Sequence, residues 1–334
     1  LRLTRRNILI GGGAVAATLA CTRVAVAQRP PAFKATTAIR VEAQPISRLS
    51  TTDPDRSRFG ALAFRSGVDL RSDVSAFGGF SGLWRSGDGQ DIIALADNAQ
   101  ILKAGIETSD GRLSGLSGPV LSPLILGNGV PMRRSRYYDT ESFALSGNAA
   151  FIGAERNHAV IRFERNAAGS IIRGVPIPVP RALQDLPSNG GLEAIAVAPQ
   201  RSPLSGALVG IAEGGSGFIL TGSRQGAFEV ALSGGFGVTD MAFLPDGDAV
   251  ILERRFSLLS GFVCRLRRIE AAAIRARARV DGEVLYESES SHQVDNMEGL
   301  AVHREGGETV LSLISDNNFS SLQRTLLLEF SLLG

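Results

Sequence analysis

Acidic residues recur at matched places in this chain. In the stretch "EGLAVHREGGETVLSLISD", Glu298 opens a short alternating segment, Gly306 and Gly307 mark a turn, and a second apolar segment ends at Asp316. The same order runs from Asp240 to Glu253, from Glu193 to Glu213 and from Glu141 to Glu155, and a weaker copy begins at Ser81 and ends at Asp97. Antiparallel strands joined by a tight turn set the start of the first beside the end of the second. Each bracketing pair should therefore meet at one end of its hairpin, and converging hairpins would gather up to nine carboxylates. Crowded carboxylates repel, so such a ring needs protons, arginines or a cation. With oxygen donors and little else, the cation expected is calcium, with magnesium or manganese behind it. Asn98, Asn157, Asn317 and Asn318 stand near the closing acids and offer neutral oxygens. The alternative is purely structural: the acids cap strand ends and pair with neighbours such as Arg156, Arg254 and Arg255.

Other site chemistries lack their residues. No G-x-S-x-G turn, phosphate loop or G-x-G-x-x-G motif occurs. The three histidines, His158, His292 and His303, are scattered, which argues against zinc catalysis on histidine ligands.

The elements that must hold these acids are β-hairpins. The opening residues lie 60, 52, 47 and 58 positions apart. Those periods fit four-stranded propeller blades lengthened by loops. The expectation is an all-β, six-bladed propeller around a central channel. The sixth blade is assigned to the chain ends, "ATTAIRVEAQPI" and "RTLLLEFSLL". The one segment that reads as helix is "RIEAAAIRARARV", Arg268 to Val280, expected in an insertion between strands.

The first 27 residues read as an address. Arg5-Arg6, an apolar run from Ile8 to Ala20 and Ala25-Val26-Ala27 make a twin-arginine export signal, with cleavage expected after Ala27 and a periplasmic or secreted product. A lipoprotein reading through Cys21 is weaker, because Thr18 stands where leucine is usual. The propeller domain is then 28–334. The signal holds four of the 35 basic residues and no acid, which leaves 31 against 33, a net charge of about −2. Nucleic-acid binders carry a basic surplus, and this domain carries none. The remaining cysteine, Cys264, sits in the apolar stretch "GFVCRL" and is expected in the core.

The strand openings at the acids, and above all "DNMEGLAV" with "LSLISDNNFSSLQRTLLLEF", resemble the phytase-like family described as esterase-like activity of phytase. The resemblance extends from about residue 50 to the C-terminus. It implies a propeller with phosphoesterase activity and, position by position, functional roles for Glu141, Glu193, Glu298 and Asp316. Glu155, Glu213, Asp240 and Glu253 match as further members, with Asp97 closing the first unit. On that reading a divalent metal, calcium first, neutralises the phosphate of a small anionic substrate, and a free carboxylate takes the proton. Arg134 and Arg136, with Arg133 in "MRRSRYYDTE", and Arg324 in "SSLQRT" are the arginines suited to orient phosphate through forked contacts. Two readings stay open beside it: a calcium-dependent lactonase or other ester hydrolase, and a non-catalytic propeller that binds a ligand or calcium.

Overall fold

The computed structural model describes residues 34–333. Residues 1–27, read as an export signal, and Cys21 with them, lie outside the described residues. The strands form five antiparallel sheets, with one short parallel addition. Their innermost strands are Phe80–Arg85, Thr140–Ser146, Leu192–Val197, Gly237–Phe243 and Met297–Glu305. Each packs on the next, and the last packs on the first. That closure makes the sheets the blades of a propeller.

Every inner strand turns back into the second strand of its blade. In the fifth blade Glu305 pairs with Glu308 across Gly306–Gly307, both at positive φ (57° and 90°). A two-residue hairpin of this twist needs positive φ at both positions, which glycine adopts without strain. One apolar cluster fills each space between neighbouring blades. Between the fourth and fifth, for example, Leu252, Cys264 and Leu266 meet Leu300, Leu313 and Leu328. Cys264 is buried and free, and burial pushes its thiol up to about 12.

The blades number five, not six. The C-terminal strand Thr325–Leu332 is the third strand of the fifth blade, hydrogen-bonded beside Glu308–Ser315. Leu62–Arg71 is its fourth strand and Glu42–Ile46 its fifth. The chain ends do share a blade, but it is the one that the Glu298 unit begins. A hairpin supplies two strands only, so Glu42–Ile46 and Thr325–Leu332 are used in completing the fifth blade, while Thr37–Ala38 pair with the edge of the first.

The segment read as helix is not one. Arg268 and Ile269 end a strand, Ala271–Ala273 form a single 3-10 turn, and Arg279–Val280 pair in parallel with the edge of the third blade. Its alanine and arginine content favours helix, yet Ala271, Ile274 and Val280 are buried against the third and fourth blades. Among the described residues, no helix is long and apolar enough to cross a membrane.

Candidate functional site: an acidic mouth built on repeated bulges

All five inner strands carry a register shift at the same place. Phe80 pairs with Ala96 and Gly82 with Leu95, which leaves Ser81 unpaired. The residues left out in the same way are Glu141, Glu193, Thr239 and Glu298. A bulge bends its strand and re-aims the extra side chain. Three blades therefore present a glutamate at one end of the channel and two present a hydroxyl. The hydroxyls stitch blades together: Ser81 Oγ donates to the Thr140 carbonyl at 2.8 Å, and Thr239 Oγ1 to the Met297 carbonyl at 3.1 Å.

A second tier lies one residue past the partner of each pre-bulge position. It holds Asp97, Glu155, Glu213, Arg254 and Asp316. A third tier, two residues before each bulge, reads Gly79, Asp139, Gly191, Gly237 and Asn296. The glycines there are spatially required. A Cβ on Gly191 would lie 2.7 Å from the Glu155 backbone, and one on Gly237 would lie 2.6 Å from the Glu213 side chain.

Charge is crowded at this mouth. Burial, then Glu193, Asp97, Asp139 and Glu298, push the Glu141 carboxyl well above the usual range. Burial and Glu298 do the same to Glu193, and burial, Glu298 and Asp97 to Asp316. Glu298 is raised by burial but held back by Arg254 and by its hydrogen bond from Asn296. Arg254 Nη1 donates to Glu298 Oε1 at 2.7 Å and to Asn296 Oδ1 at 2.6 Å. Glu155 is pushed up to about 7, by burial and by Asp139, with Arg156 opposing.

Within the ring, Asp139, Glu141 and Glu155 each offer a carboxylate oxygen, and these oxygens lie within 4.8 Å of one another. The set is all oxygen, with no histidine or thiol, which suits a hard divalent cation such as calcium, magnesium or manganese. Arg156 also pairs with Asp139.

The mouth thus gathers Glu141, Glu193, Glu298, Asp316, Asp97, Glu155 and Glu213. It does not gather Asp240 or Glu253. Asp240 lies one residue past the bulge at Thr239, fully buried. It accepts from the backbone N–H of Met241 at 2.7 Å and of Leu300, on the fifth blade, at 2.6 Å. Glu253 is fully buried inside the fourth blade, gripped by Arg267 at 2.6 and 2.8 Å and by Arg265 at 2.7 Å. Asn317 uses its Oδ1 on the N–H groups of Gly79 and Phe319. Arg134 and Arg136 are exposed in the connection leading to the second blade, with Arg136 laid over the Tyr137 ring at 4.8 Å. Arg324 sits beside Asp295 at 3.9 Å. Asp139, Asn296, Thr239 and the ring role of Arg254 were not read from the sequence. Asp139 and Asn296 stand two residues before Glu141 and Glu298, a spacing the sequence carries, whereas Thr239 and Arg254 lie one residue from the acids Asp240 and Glu253 and show only in the strand pairing.

A family model described as Phytase-like, esterase-like activity of phytase, matches residues 75–319. Two similar solved structures are a glutaminyl cyclase from Myxococcus xanthus and the PQQ-bound aldose sugar dehydrogenase from Streptomyces coelicolor. The first has 11% identity and a TM-score of 0.40, covering 90% of this chain and 97% of its own. The second has 14% identity and a TM-score of 0.41, covering 79% of this chain and 97% of its own. No curated protein matches.

Proposed function

Because the chain belongs to the phytase-like family, esterase-like activity of phytase, we propose that the acidic mouth is the site of a metal-dependent phosphate-ester hydrolase. The observation that carries this reading is the bulge repeated in five blades, which aims three glutamates at one place where their charges oppose one another. Asp139, Glu141 and Glu155 are the residues that would hold the cation, calcium before magnesium or manganese. When bound, such an ion supplies neutralisation of phosphate charge and activation of water. Glu193, half-buried and repelled by Glu298, has its carboxyl held well above the usual range and would be the group that exchanges a proton with an ester oxygen. Arg134 and Arg136 would meet an incoming phosphate with forked donors. The proposal includes a small anionic substrate and export through the leader at 1–27.

The test is a thermal melt of the 28–334 chain in EDTA and then in calcium, magnesium or manganese, beside a phosphomonoester panel. Binding to the folded state alone raises the midpoint. The expected outcome is a rise that Glu141→Gln and Glu155→Gln abolish, with turnover lost in both. No rise with any cation would overturn the mechanism. One observation favours a second reading: two of the five bulges carry a hydroxyl, and one second-tier position an arginine, where the pattern elsewhere is acidic. A cation-induced rise without turnover of any ester would assign the mouth to a non-catalytic, cation-binding propeller.

A further inference from the structure

Arg254 is the one cation in the second tier. Val238 pairs with Glu253 as Phe80, Thr140, Leu192 and Met297 pair with Ala96, Ala154, Ala212 and Ser315. The next residue is an acid in four blades and Arg254 in the fourth. Its Nη1 donates to Asn296 Oδ1 at 2.6 Å and to Glu298 Oε1 at 2.7 Å, and its Nη2 lies 3.5 Å from Glu213 Oε1 on the other side. Asn296 in turn donates to Glu298 Oε1 at 2.9 Å. The side chain keeps 24% of its surface exposed, so it lines the mouth rather than the blade interior. The charged groups facing it are Glu298, Glu213, Glu193 and Asp316. They come from the fifth, third, third and fifth blades, so one guanidinium serves the acids on both sides of its own blade. A guanidinium is permanently charged and its fork suits carboxylates. It therefore does here what a divalent ion does among crowded carboxylates, without being removable. The groups facing Arg254 do not include Asp139, Glu141 or Glu155; the arginine beside these, Arg156, pairs with Asp139 with 52% of its side chain exposed.

We propose that Arg254 sets how many cations the mouth accepts: its guanidinium occupies the fourth-blade sector as a built-in counter-ion and confines a metal ion to the Asp139–Glu141–Glu155 sector. This rests on the metal reading given above, and it identifies the residue that makes the ring asymmetric. Removing the guanidinium should open a second cation site among Glu298, Glu213 and Asp316.

The experiment is calorimetric titration of the 28–334 chain with calcium and with manganese. The proteins are wild type, Arg254→Gln, Arg254→Lys, Glu155→Gln and the Arg254→Gln/Glu155→Gln pair. The expected result is an additional cation per chain in Arg254→Gln, retained in the pair, while Arg254→Lys keeps the wild-type stoichiometry. A merely structural arginine would leave stoichiometry unmoved. If wild type takes up cation and Arg254→Gln takes up no more, the inference is overturned and the metal reading stands. If wild type takes up none and Arg254→Gln does, the metal reading fails and the confinement to the Asp139–Glu141–Glu155 sector falls with it, while the counter-ion role of Arg254 in its own sector is supported. If neither takes up any, both fall. An Arg254→Gln protein that folds only with cation supports the inference; one unfolded with and without cation overturns it.

Discussion

Glu155 carries a carboxyl whose ionisation is moved into the neutral range. Its carboxyl is pushed from 4.5 to about 7, chiefly by burial and next by Asp139. The folded state therefore holds this proton more tightly than the unfolded chain, and its contribution is fully present below about pH 4.5 and lost as pH rises through about 7. Glu141, Glu193 and Asp316 are displaced in the same direction and add to the loss. In EDTA, the urea midpoint should fall as pH rises from about 4.5 through about 7, and saturating calcium should flatten that slope. A midpoint that climbs with pH in EDTA would contradict this charge assignment. At this scale the sequence was informative about residue type and less so about register. Glu141, Glu193 and Glu298 could be read from their spacing because the acid itself is the bulged residue. Asp240 misled because an acid stands immediately after the true equivalent, Thr239, and a one-residue slip sends a strand side chain to the opposite face. The same slip hid Arg254 behind Glu253.

The element that builds the site is the bulged inner strand leaning on the end of its neighbour. Hairpins were legible because alternation and Gly-rich turns are local signals. Bulges were not, because an extra residue shows only against the partner strand. The glycines two residues before the bulges sit where this packing leaves no room for a side chain. Gly191 lies against the Glu155 backbone, so a Cβ there would approach within 2.7 Å of main chain rather than of a yielding side-chain tip. Gly191→Ala should therefore displace the Glu155 turn, at a cost of about 1–3 kcal/mol. It should also weaken the calcium-induced rise in melting midpoint, although no acid has been removed. Gly214→Ala is the control, since nothing lies within 4 Å of its added Cβ. Equal calcium responses in the two variants would show that strand packing does not position Glu155.

The whole molecule is closed by its ends. Leu62–Arg71 hydrogen-bonds along the length of Thr325–Leu332, joining residues more than two hundred positions apart in one blade. No local pattern announces such a pairing, which explains why a propeller was foreseeable from repeat spacing and its blade number was not. Closure also decides which truncations the fold tolerates. Glu42–Ile46 is an outermost strand paired on one side, to Leu62–Arg71. Leu62–Arg71 lies between two partners and contributes fully buried Leu62, Val68 and Leu70 to clusters against the fourth and first blades. Loss of each buried leucine costs about 2–5 kcal/mol, and loss of the strand uncovers the Thr325–Leu332 edge for pairing with other chains. A chain beginning at Arg48 should melt cooperatively at a lowered midpoint. A chain beginning at Ser72 should lack a cooperative transition by circular dichroism and aggregate at low concentration. A sharp melt from the shorter chain would mean that the other four blades hold the ring without its clasp, and that the mouth keeps its geometry independently of closure.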